Sequence, residues 1–363
     1  MKSIDKPFLF ITGFLVLFGI IIFISAVLGL LARDGGANIS DIFFSQLVLG
    51  VLFGGILLFI FQRLNYRFWK RASFYIFIIS IFFSMLVFVP SLGLEHGGAT
   101  RWLLLGPVSL QPSEILKFGF VIYLSAWFSM IREKIFNFKY GIFPFLIFLI
   151  IAGAILLSQP DTGTFAVLFI SGVAVFFAAG GRVKHLAIII LTGIIGLFIL
   201  ASFKPYVKDR IETFLDPSRD PQGSGFQIKQ SLIAIGSGGI FGRGFGQSVQ
   251  KFNYLPEPIG DSVFAVLAEE FGFIGSIILI ILFILFTIRG LQIAARAPDS
   301  FARLTTTGLV ILIVSQSFLN MAAMLGVMPL TGLPLLFVSH GGTAMLMTLA
   351  EVGIILNISR YIN

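Results

Sequence analysis

Runs of about 20 consecutive apolar residues recur along this chain, and a helix of that length crosses the hydrocarbon core of a bilayer. The runs lie near residues 8–32, 41–61, 72–90, 113–130, 142–158, 163–180, 184–203, 263–288, 303–328 and 341–360. We therefore predict an all-α integral membrane protein with ten transmembrane helices, which form a single polytopic domain over residues 1–363. The first run follows the basic start MKSIDK without a cleavage site, so an uncleaved membrane helix is predicted there.

The overall composition supports the membrane class. Hydrophobic residues make up 57% of the 363 residues and charged residues only 12%. A soluble domain of this size would have too little polar surface to cover itself. The chain has no cysteine, which excludes disulfides, thiolate metal sites and cysteine nucleophiles, and its three histidines show no metal-ligand spacing.

Lysine and arginine are distributed unevenly between the two predicted sides of the membrane. The short segments on the side of the termini contain fifteen of them, whereas the short segments on the other side contain only Arg33 and Arg101. Positive residues favour the cytoplasmic side, so both termini are predicted to be cytoplasmic. Attraction to acidic membrane lipids then explains the net charge of +8, and no nucleic-acid partner is predicted.

Residues 204–262 form a large predicted loop between the seventh and eighth helices, on the extracytoplasmic side. A loop of this length in a compact protein is usually functional or disordered. Within it, GFQIKQSLIAIGSGG is predicted to be an amphipathic helix near the outer membrane interface, with Ile228, Leu232 and Ile235 at helical spacing. The glycine-rich GSGGIFGRGFGQ lacks the pattern of a nucleotide-binding loop and is predicted to serve tight turns and close packing.

Ionisable residues gather at the extracytoplasmic ends of the predicted helices. Arg101 precedes the fourth helix, Glu114 and Lys117 lie in its first turns, and Asp161 and Asp261 begin the sixth and eighth helices. Charged groups at membrane depth are costly and suggest function by default. Their grouping at one leaflet favours binding of, or chemistry on, a lipid-linked molecule at the outer surface.

Each of these residues also has a structural interpretation. Glu114 and Lys117 lie three positions apart on one helix face and can form a structural ion pair. Asp161 and Asp261 can cap their helices, and Arg101 can reach lipid phosphates. Sequence reasoning leaves these alternatives open.

Four stretches resemble signature motifs of the RodA/FtsW/SpoVE family, the SEDS (shape, elongation, division and sporulation) proteins. These stretches are GGATRWLLLGPVSLQPSEILK, SQPDTGT, RIETFLDPSRDPQGSGFQIKQSLIAIGSGGIFGRGFGQSVQKFNYLPE and NMAAMLGVMPLTGLPLLFVSHGGTAM. They occur in the family order between about residues 95 and 355 and so cover most of the chain. The segment QSVQK followed by YLPE is more similar to the FtsW/SpoVE branch than to the RodA branch.

The resemblance implies a peptidoglycan glycosyltransferase. Such an enzyme polymerises lipid II, an undecaprenyl-diphosphate-linked disaccharide-pentapeptide, on the outer face of the bacterial cytoplasmic membrane, in cell division or cell-shape maintenance. The resemblance also implies a class B penicillin-binding protein as the transpeptidase partner. Ten helices with a long loop after the seventh agree with the family.

The sequence departs from the family pattern in two places. The family's LPE-x-HTD is here LPEPIGD, so Ile259 and Gly260 replace the His and the Thr, while the acid remains as Asp261. His340 occupies the variable position of the C-terminal S-x-GG motif. The first change removes two polar groups next to the predicted catalytic acid but keeps the acid, so enzymatic activity is still expected.

Glycan polymerisation requires a sugar hydroxyl to attack an anomeric carbon while a diphosphate leaves. Asp261 is the predicted catalytic residue, either as the general base or as a ligand of a metal that serves the base. Arg101 and Lys117 are predicted to bind the diphosphate, and Glu114 to hold Lys117 or to join a metal site. A divalent cation, Mg²⁺ or Mn²⁺, is expected to assist, with ligands that the sequence does not identify.

Two further residues belong to the predicted substrate-binding site. Trp102 is predicted to stack on a sugar or lie along the polyprenyl chain, with an ordinary interfacial position as the alternative. Glu257 is predicted to be a second ligand near Asp261, or else a solvated loop acid. Pro256 and Pro258 are expected to stiffen the approach to Asp261.

Two other functions remain open at this point. A lipid II flippase would need polar groups along a path through the bilayer. Glu269, Glu270 and Glu351 lie within predicted membrane helices and are compatible with such a path. A non-catalytic division scaffold is the second, and the altered LPEPIGD motif is the best argument for it.

Overall fold

The computed structural model describes residues 3–31, 39–96, 99–105 and 108–362. Arg33 and the Gly97–Gly98 pair of the GGATRW motif lie outside the described residues. Most of the described chain is helical, with a π-helical segment (Phe44–Phe53) joining α2 to α3 without a break. The helices are α1 (Lys6–Leu31), α2 (Ile39–Phe43), α3 (Gly54–Phe61), α4 (Tyr66–Leu86), α5 (Pro112–Ile131), α6 (Ile142–Ser158), α7 (Thr162–Ala178), α8 (Val183–Phe203), α9 (Pro205–Leu215), α10 (Ser224–Gly238), α11 (Gln250–Asn253), α12 (Val263–Ala295), α13 (Ser300–Met324) and α14 (Gly342–Ser359).

Eight helices in the described part of the chain are long and apolar enough to cross a membrane. They coincide with the first four and the last four of the ten predicted apolar runs. Two shorter apolar helices of 17 residues each, α6 and α7, occupy the fifth and sixth positions. The prediction of a helical, multi-pass membrane protein is confirmed, and the count of ten crossings stays a prediction. The eight ranges are Lys6–Leu30, Ile39–Phe61, Tyr66–Leu86, Pro112–Ile131, Val183–Phe203, Val263–Ala295, Ser300–Met324 and Gly342–Ser359.

The start of α4 differs from the prediction for a physical reason. The apolar run begins near residue 72, but the helix begins at Tyr66, because the Asn65 side chain accepts a hydrogen bond from Arg67 N and caps it. The first turns of α4 also carry Lys70 and Arg71. Hydropathy locates the apolar run but not a capped, charged turn that extends the helix beyond it.

Helices α5, α13 and α14 form the centre of the bundle, where most of their residues are buried. Helix α8 is almost entirely exposed and lies at the edge of the bundle. Polar side chains on the three central helices are therefore surrounded by protein rather than by lipid, which lowers the cost of keeping them at membrane depth.

A small antiparallel sheet precedes α5, in the order β1 (Gly93–His96), β2 (Ala99–Leu105) and β3 (Val108–Leu110). The all-α prediction omits this sheet because strands this short leave little periodic signal. In the register of β1 and β2, Thr100 pairs with Glu95 and Trp102 pairs with Leu94, so Arg101 between them has no partner. Such a β-bulge redirects a side chain.

The predicted loop 204–262 is structured, with α9, α10 and α11 inside it. The predicted helix in GFQIKQSLIAIGSGG is confirmed as α10. Of the three predicted apolar positions, Ile228 lies on the buried face, whereas Leu232 is 44% exposed. Most other residues on the buried face are small, and a Cβ on Gly238 would lie 2.0 Å from Ala268 O of α12, so α10 and α12 approach closely.

Helix α12 is broken at Gly272, whose φ of +67° is not helical. The break frees backbone groups on both sides of it, and the glycine-rich loop 239–246 satisfies them. This pairing agrees with the predicted close packing of the glycines, since a Cβ on Gly242 would lie 2.1 Å from Glu270 O. The hydrogen bonds run from Arg243 N to Glu269 O (3.0 Å), Gly244 N to Glu270 O (3.0 Å), Phe273 N to Gly239 O (2.9 Å) and Ile274 N to Ile240 O (3.2 Å).

The side chains of Glu269 and Glu270 hold the segment that follows this loop. Glu269 accepts a hydrogen bond from Ser248 Oγ (2.6 Å), and Glu270 accepts from Lys251 Nζ (2.6 Å) and from Ser25 Oγ of α1. Both acids are buried and have partners. They do not line an open polar path, so the flippase hypothesis loses two of its three supporting residues.

Candidate active site

The LPEPIGD segment forms a tight turn just before α12. Glu257 has a φ of +46°, and its carbonyl accepts hydrogen bonds from Gly260 N (3.1 Å) and Ser262 N (3.2 Å). Ser262, rather than Asp261, occupies the N-cap position of α12, and no side chain caps the helix there. The capping alternative for Asp261 is therefore wrong, and this partly exposed residue is available for another role.

Three consecutive backbone carbonyls of this turn are each held from outside it. The donors come from α13 and from the segment between α13 and α14, which is the C-terminal signature of the sequence. The bonds run from His340 N to Ile259 O (2.7 Å), from Ser339 Oγ to Gly260 O (2.8 Å) and from Asn320 Nδ2 to Asp261 O (2.8 Å).

Two arginines approach Asp261 from different parts of the chain. A Cβ built on Gly332 would lie 3.6 Å from Arg101 Nη1, 3.8 Å from Arg210 Nη2 and 3.8 Å from Asp261 Oδ2. Gly332 has a φ of +69°, a conformation that favours glycine. Any side chain at this position would fill the space between the three charged groups, which we call the charge cluster (Arg101, Arg210 and Asp261).

Arg101 is fixed by the junction between α6 and α7. Its Nε donates to Gln159 O (3.2 Å) and its Nη2 donates to Pro160 O. The β-bulge of β2 directs the side chain toward this junction. Arg101 is thus held within the protein, and the alternative of a side chain that only reaches lipid phosphates is not what the structure shows.

Sequence reasoning missed Arg210, which lies on α9. Its Nη1 donates to Thr162 Oγ1 (3.1 Å) and to Thr331 O (3.4 Å). An arginine in a long polar loop is ordinarily a solvated surface residue, so its charge alone does not indicate a binding role. The available signal was its position in RIETFLDPSRDP, a stretch that carries the family resemblance.

Asp161 is confirmed as the N-cap of α7. Its carboxylate accepts hydrogen bonds from Thr164 N (3.1 Å) and Thr164 Oγ1 (2.7 Å). Asp161 lies close enough to the charge cluster to favour the charged form of Arg210. Its structural role accounts for its position at the start of the helix.

The surroundings of Asp261 change its acidity. Burial, and then the neighbouring Glu257 carboxylate, raise the pKa of Asp261 from 3.8 to about 6, while Arg101 and Arg210 oppose this shift. A carboxylate with a pKa just below neutral is ionised at pH 7 yet basic enough to accept a proton efficiently. This combination suits a general base.

The other two predicted substrate-binding residues on this side are at the surface. Glu257 is exposed and close enough to Asp261 to influence its pKa. Trp102 is partly exposed in β2, next to Arg101 in the chain. Their contacts with a sugar or a polyprenyl chain stay predictions.

Glu114 and Lys117 lie in the interior of the bundle, apart from the accessible charge cluster. Lys117 Nζ donates to Glu114 Oε1 (2.8 Å) and to Gln316 Oε1, and Glu351 of α14 lies near enough to interact with both charges. Lys117 has no exposed surface, and Glu114 is 3% exposed. The structural ion pair is therefore present, and a direct contact between Lys117 and a substrate would require this group to open.

Lys117→Met is expected to destabilise the protein by about 3–5 kcal/mol, because it leaves the buried Glu114 charge without its partner. Lys117→Met combined with Glu114→Gln should recover most of that loss. Thermal unfolding of the purified protein in detergent measures both effects. Exposed Lys208→Met is the matched control, since Lys208 is 63% exposed in its pairing with Glu212. Equal melting temperatures for wild type and Lys117→Met would contradict a structural pair.

The described residues contain no group of three or more His, Asp or Glu side chains that could hold a metal ion. Asp261 has two further acids near enough to interact with it, Glu257 and Asp161, and two arginines that oppose their effect. Asp161 is already used as the N-cap of α7. Mg²⁺ is commonly bound by one or two carboxylates together with substrate phosphates. The arrangement does not fit a centre formed by the protein alone, and the divalent cation stays a prediction.

The geometry can be compared with known proteins. A family model described as a cell cycle protein, and named for FtsW, RodA and SpoVE, matches residues 6–363. The chain belongs to the FtsW/RodA/SpoVE family. The resemblance inferred from the four sequence stretches is thereby confirmed over almost the whole chain.

Two relatives of this family member illustrate the range of names. Stage V sporulation protein E of Bacillus subtilis (strain 168) is 37% identical over 359 residues, which is 99% of this chain and 98% of the relative. A probable peptidoglycan glycosyltransferase FtsW of Geobacter sp. (strain M18) is 35% identical over 362 residues, which is 99% of this chain and 97% of the relative.

Solved structures of the family have the same fold. A chain in a structure reported as "Structural coordination of polymerization and crosslinking by a peptidoglycan synthase complex" has a TM-score of 0.79 and 30% identity, with 99% of both chains covered. The rod shape determining protein RodA of Thermus thermophilus has a TM-score of 0.71 and 27% identity, again with 99% of both chains covered.

Proposed function

We propose that this FtsW/RodA/SpoVE family member is a peptidoglycan glycosyltransferase that polymerises lipid II at the outer face of the bacterial cytoplasmic membrane, in cell division or cell-shape maintenance. The convergence of Asp261, Arg101 and Arg210 beside Gly332 carries the proposal. Sugar transfer from a diphosphate requires a base and cationic groups close together. Relatives named probable peptidoglycan glycosyltransferase FtsW support the same activity.

Asp261 is the proposed general base. A hydroxyl oxygen of the acceptor sugar forms a bond to the anomeric carbon of the donor, and the bond between that carbon and the diphosphate oxygen breaks. The hydroxyl proton moves to the Asp261 carboxylate, and the diphosphate leaves with the electron pair. The raised pKa of Asp261 favours this proton transfer.

Arg101 and Arg210 are the proposed diphosphate ligands. Guanidinium groups bind phosphate oxygens through paired hydrogen bonds, and partial burial strengthens such contacts. We assign Lys117 and Glu114 to the packing of the helices that support the site, since both are buried. Trp102 and Glu257 are proposed to contact the sugar or the lipid chain at the rim. A divalent cation, Mg²⁺ or Mn²⁺, is proposed to enter with the diphosphate.

The proposed partner is a class B penicillin-binding protein, which would crosslink the new strands. A structural relative that belongs to a peptidoglycan synthase complex supports a partner of this kind. The proposed orientation places both termini in the cytoplasm, and the excess of Lys and Arg supports it. Residues predicted to be cytoplasmic meet at one end of the bundle, where Arg289 pairs with Asp5 (2.8 Å), and the charge cluster lies at the opposite end of α12.

The rate of polymerisation is expected to depend on pH through Asp261. The base works only when ionised, so the rate should fall as the pH drops through about 6, the pKa of Asp261, and should be nearly constant between pH 7 and 8. Below the midpoint, the rate should fall about tenfold per pH unit. Initial rates from pH 5 to 8, with melting temperatures as a stability control, measure this profile. A midpoint near the ordinary carboxylate value would contradict the environment described for Asp261.

A reconstituted assay tests the proposed function. The purified chain with its cognate transpeptidase receives lipid II and Mg²⁺, and the products are separated by length. Polymer supports the glycosyltransferase. Movement of labelled lipid II across liposome membranes without polymer would support a flippase. An intact complex that does neither would support a scaffold.

A further inference from the structure

The turn that carries Asp261 is closed by backbone hydrogen bonds to Glu257 O, and further hydrogen bonds reach it from outside. Gly260 has wide conformational freedom, and Ile259 and Gly260 have no polar side chains that could bind neighbouring groups. Pro258 is buried and restricts its own φ and the backbone of the preceding Glu257, but not that of Gly260 or Asp261. Groups outside the turn therefore help to set the direction of the Asp261 carboxylate.

Ser339 supplies one of these groups. Its Oγ donates to Gly260 O (2.8 Å) and accepts from Leu335 N (2.8 Å), so a single hydroxyl bridges the turn and the segment between α13 and α14. Ser339 is itself fixed, because Gln46 Nε2 donates to its carbonyl (3.1 Å). A side chain that is only 4% exposed and doubly bonded is not available to a substrate.

Asn320 supplies a second group in the same way. Its Nδ2 donates to Asp261 O (2.8 Å) and to Leu333 O (2.7 Å). Leu333 directly follows Gly332, around which the charge cluster meets. Asn320 therefore links the backbone of Asp261 to the backbone of Leu333, next to the charge cluster. Asn320 itself is 1% exposed.

We propose that Ser339 and Asn320 are positioning residues of the polymerase. They hold the backbone carbonyls of Gly260 and Asp261 so that the Asp261 carboxylate faces Arg101 and Arg210. This inference rests on the proposed function and adds to it the groups that orient the base. Loss of Asn320 removes the side-chain donor to Asp261 O, and loss of Ser339 leaves Gly260 O with only the long bond from Val263 N (3.4 Å). Either loss lets the carboxylate move away from the acceptor hydroxyl.

Steady-state kinetics of Ser339→Ala and Asn320→Ala test the proposal in the reconstituted complex. Since a displacement of about 1 Å can cost about 10²-fold in rate, kcat should fall between tenfold and 10²-fold. The KM for lipid II should change by less than about threefold, because neither residue touches substrate. Ser339→Thr keeps the hydroxyl and should restore most of kcat. A merely structural role would not give this separation of kcat from KM.

Matched controls are available in the same chain. Ser317 is buried on α13 and bonds only within its helix, to Ile313 O (2.9 Å). Asn357 is buried at the opposite end of the bundle, where its Nδ2 donates to Gln62 O (2.8 Å). Ser317→Ala and Asn357→Ala should reduce kcat far less than the test variants do.

Three results would overturn the proposal while leaving the proposed function intact. These are a wild-type kcat in both test variants, losses no larger than those of the controls, and no rescue by Ser339→Thr. If an alanine variant does not fold, Ser339→Cys decides, because it keeps the size but donates weakly; a wild-type kcat there also overturns the proposal. Absence of polymer from the wild-type complex would instead reject the proposed function.

Discussion

Asp261→Asn is expected to reduce the rate of lipid II polymerisation by about 10²–10⁴-fold, the usual contribution of a positioned base. Asparagine keeps the size of the side chain and the backbone carbonyl that Asn320 holds, but it cannot accept the proton. Thermal stability should be unchanged or higher. Because burial disfavours the ionised carboxylate of Asp261, a neutral amide removes an unfavourable charge.

Asp299→Asn is the matched control for this variant. Asp299 also precedes a transmembrane helix, where its carboxylate accepts from Ala302 N (2.9 Å), but it lies at the other end of the bundle. Asparagine is an equally good N-cap, so this variant should polymerise lipid II at nearly the wild-type rate. Polymerisation by Asp261→Asn at the wild-type rate would reject Asp261 as the base.

Arg210→Met is expected to lower kcat/KM by about 10²–10³-fold, as for other groups that stabilise developing negative charge. Burial, and then the neighbouring Arg101, lower the pKa of Arg210, because two cations are held together with limited solvent. An anion between them relieves this repulsion. Inorganic diphosphate should therefore raise the melting temperature of the wild type and have little effect on Arg210→Met.

The same loop offers a control for Arg210. Arg219 is 58% exposed and pairs with Glu212 (2.8 Å) at the surface. Exposed pairs contribute little to stability, and Arg219 has no part in the charge cluster, so Arg219→Met should keep normal kinetics and the response to diphosphate. If both variants lost activity equally, net charge of the loop, rather than the position of Arg210, would be responsible.

Sequence reasoning predicted the membrane helices well because hydropathy acts over about 20 residues and survives local errors. It also located Asp261, Arg101 and the Glu114–Lys117 pair, since charges are rare in such a sequence. It could not predict burial. Lys117 lies in the first turns of α5, which suggested access from outside, but α13 covers it and Gln316 binds its ammonium.

Residues whose importance depends on long-range contacts were harder to find. Arg210 and Gly332 are separated by more than a hundred residues, and each is ordinary in its own stretch of sequence. Only the fold brings Arg210 of α9 next to Thr331 and Gly332. The β-bulge at Arg101 likewise follows from strand register, which short strands do not reveal in the sequence.

The break in α12 also bears on how the chain is made. Without residues 239–246, the carbonyls of Glu269 and Glu270 and the amides of Phe273 and Ile274 would be left bare at the break, which is costly away from water. The ribosome delivers this loop before α12, so the loop groups that bind the break are available when the helix arrives. With this order of synthesis, the backbone groups at the break in α12 can form their hydrogen bonds as soon as the helix enters the translocon. A gene split between the loop and α12 should therefore yield a C-terminal fragment that inserts poorly unless the N-terminal fragment is present.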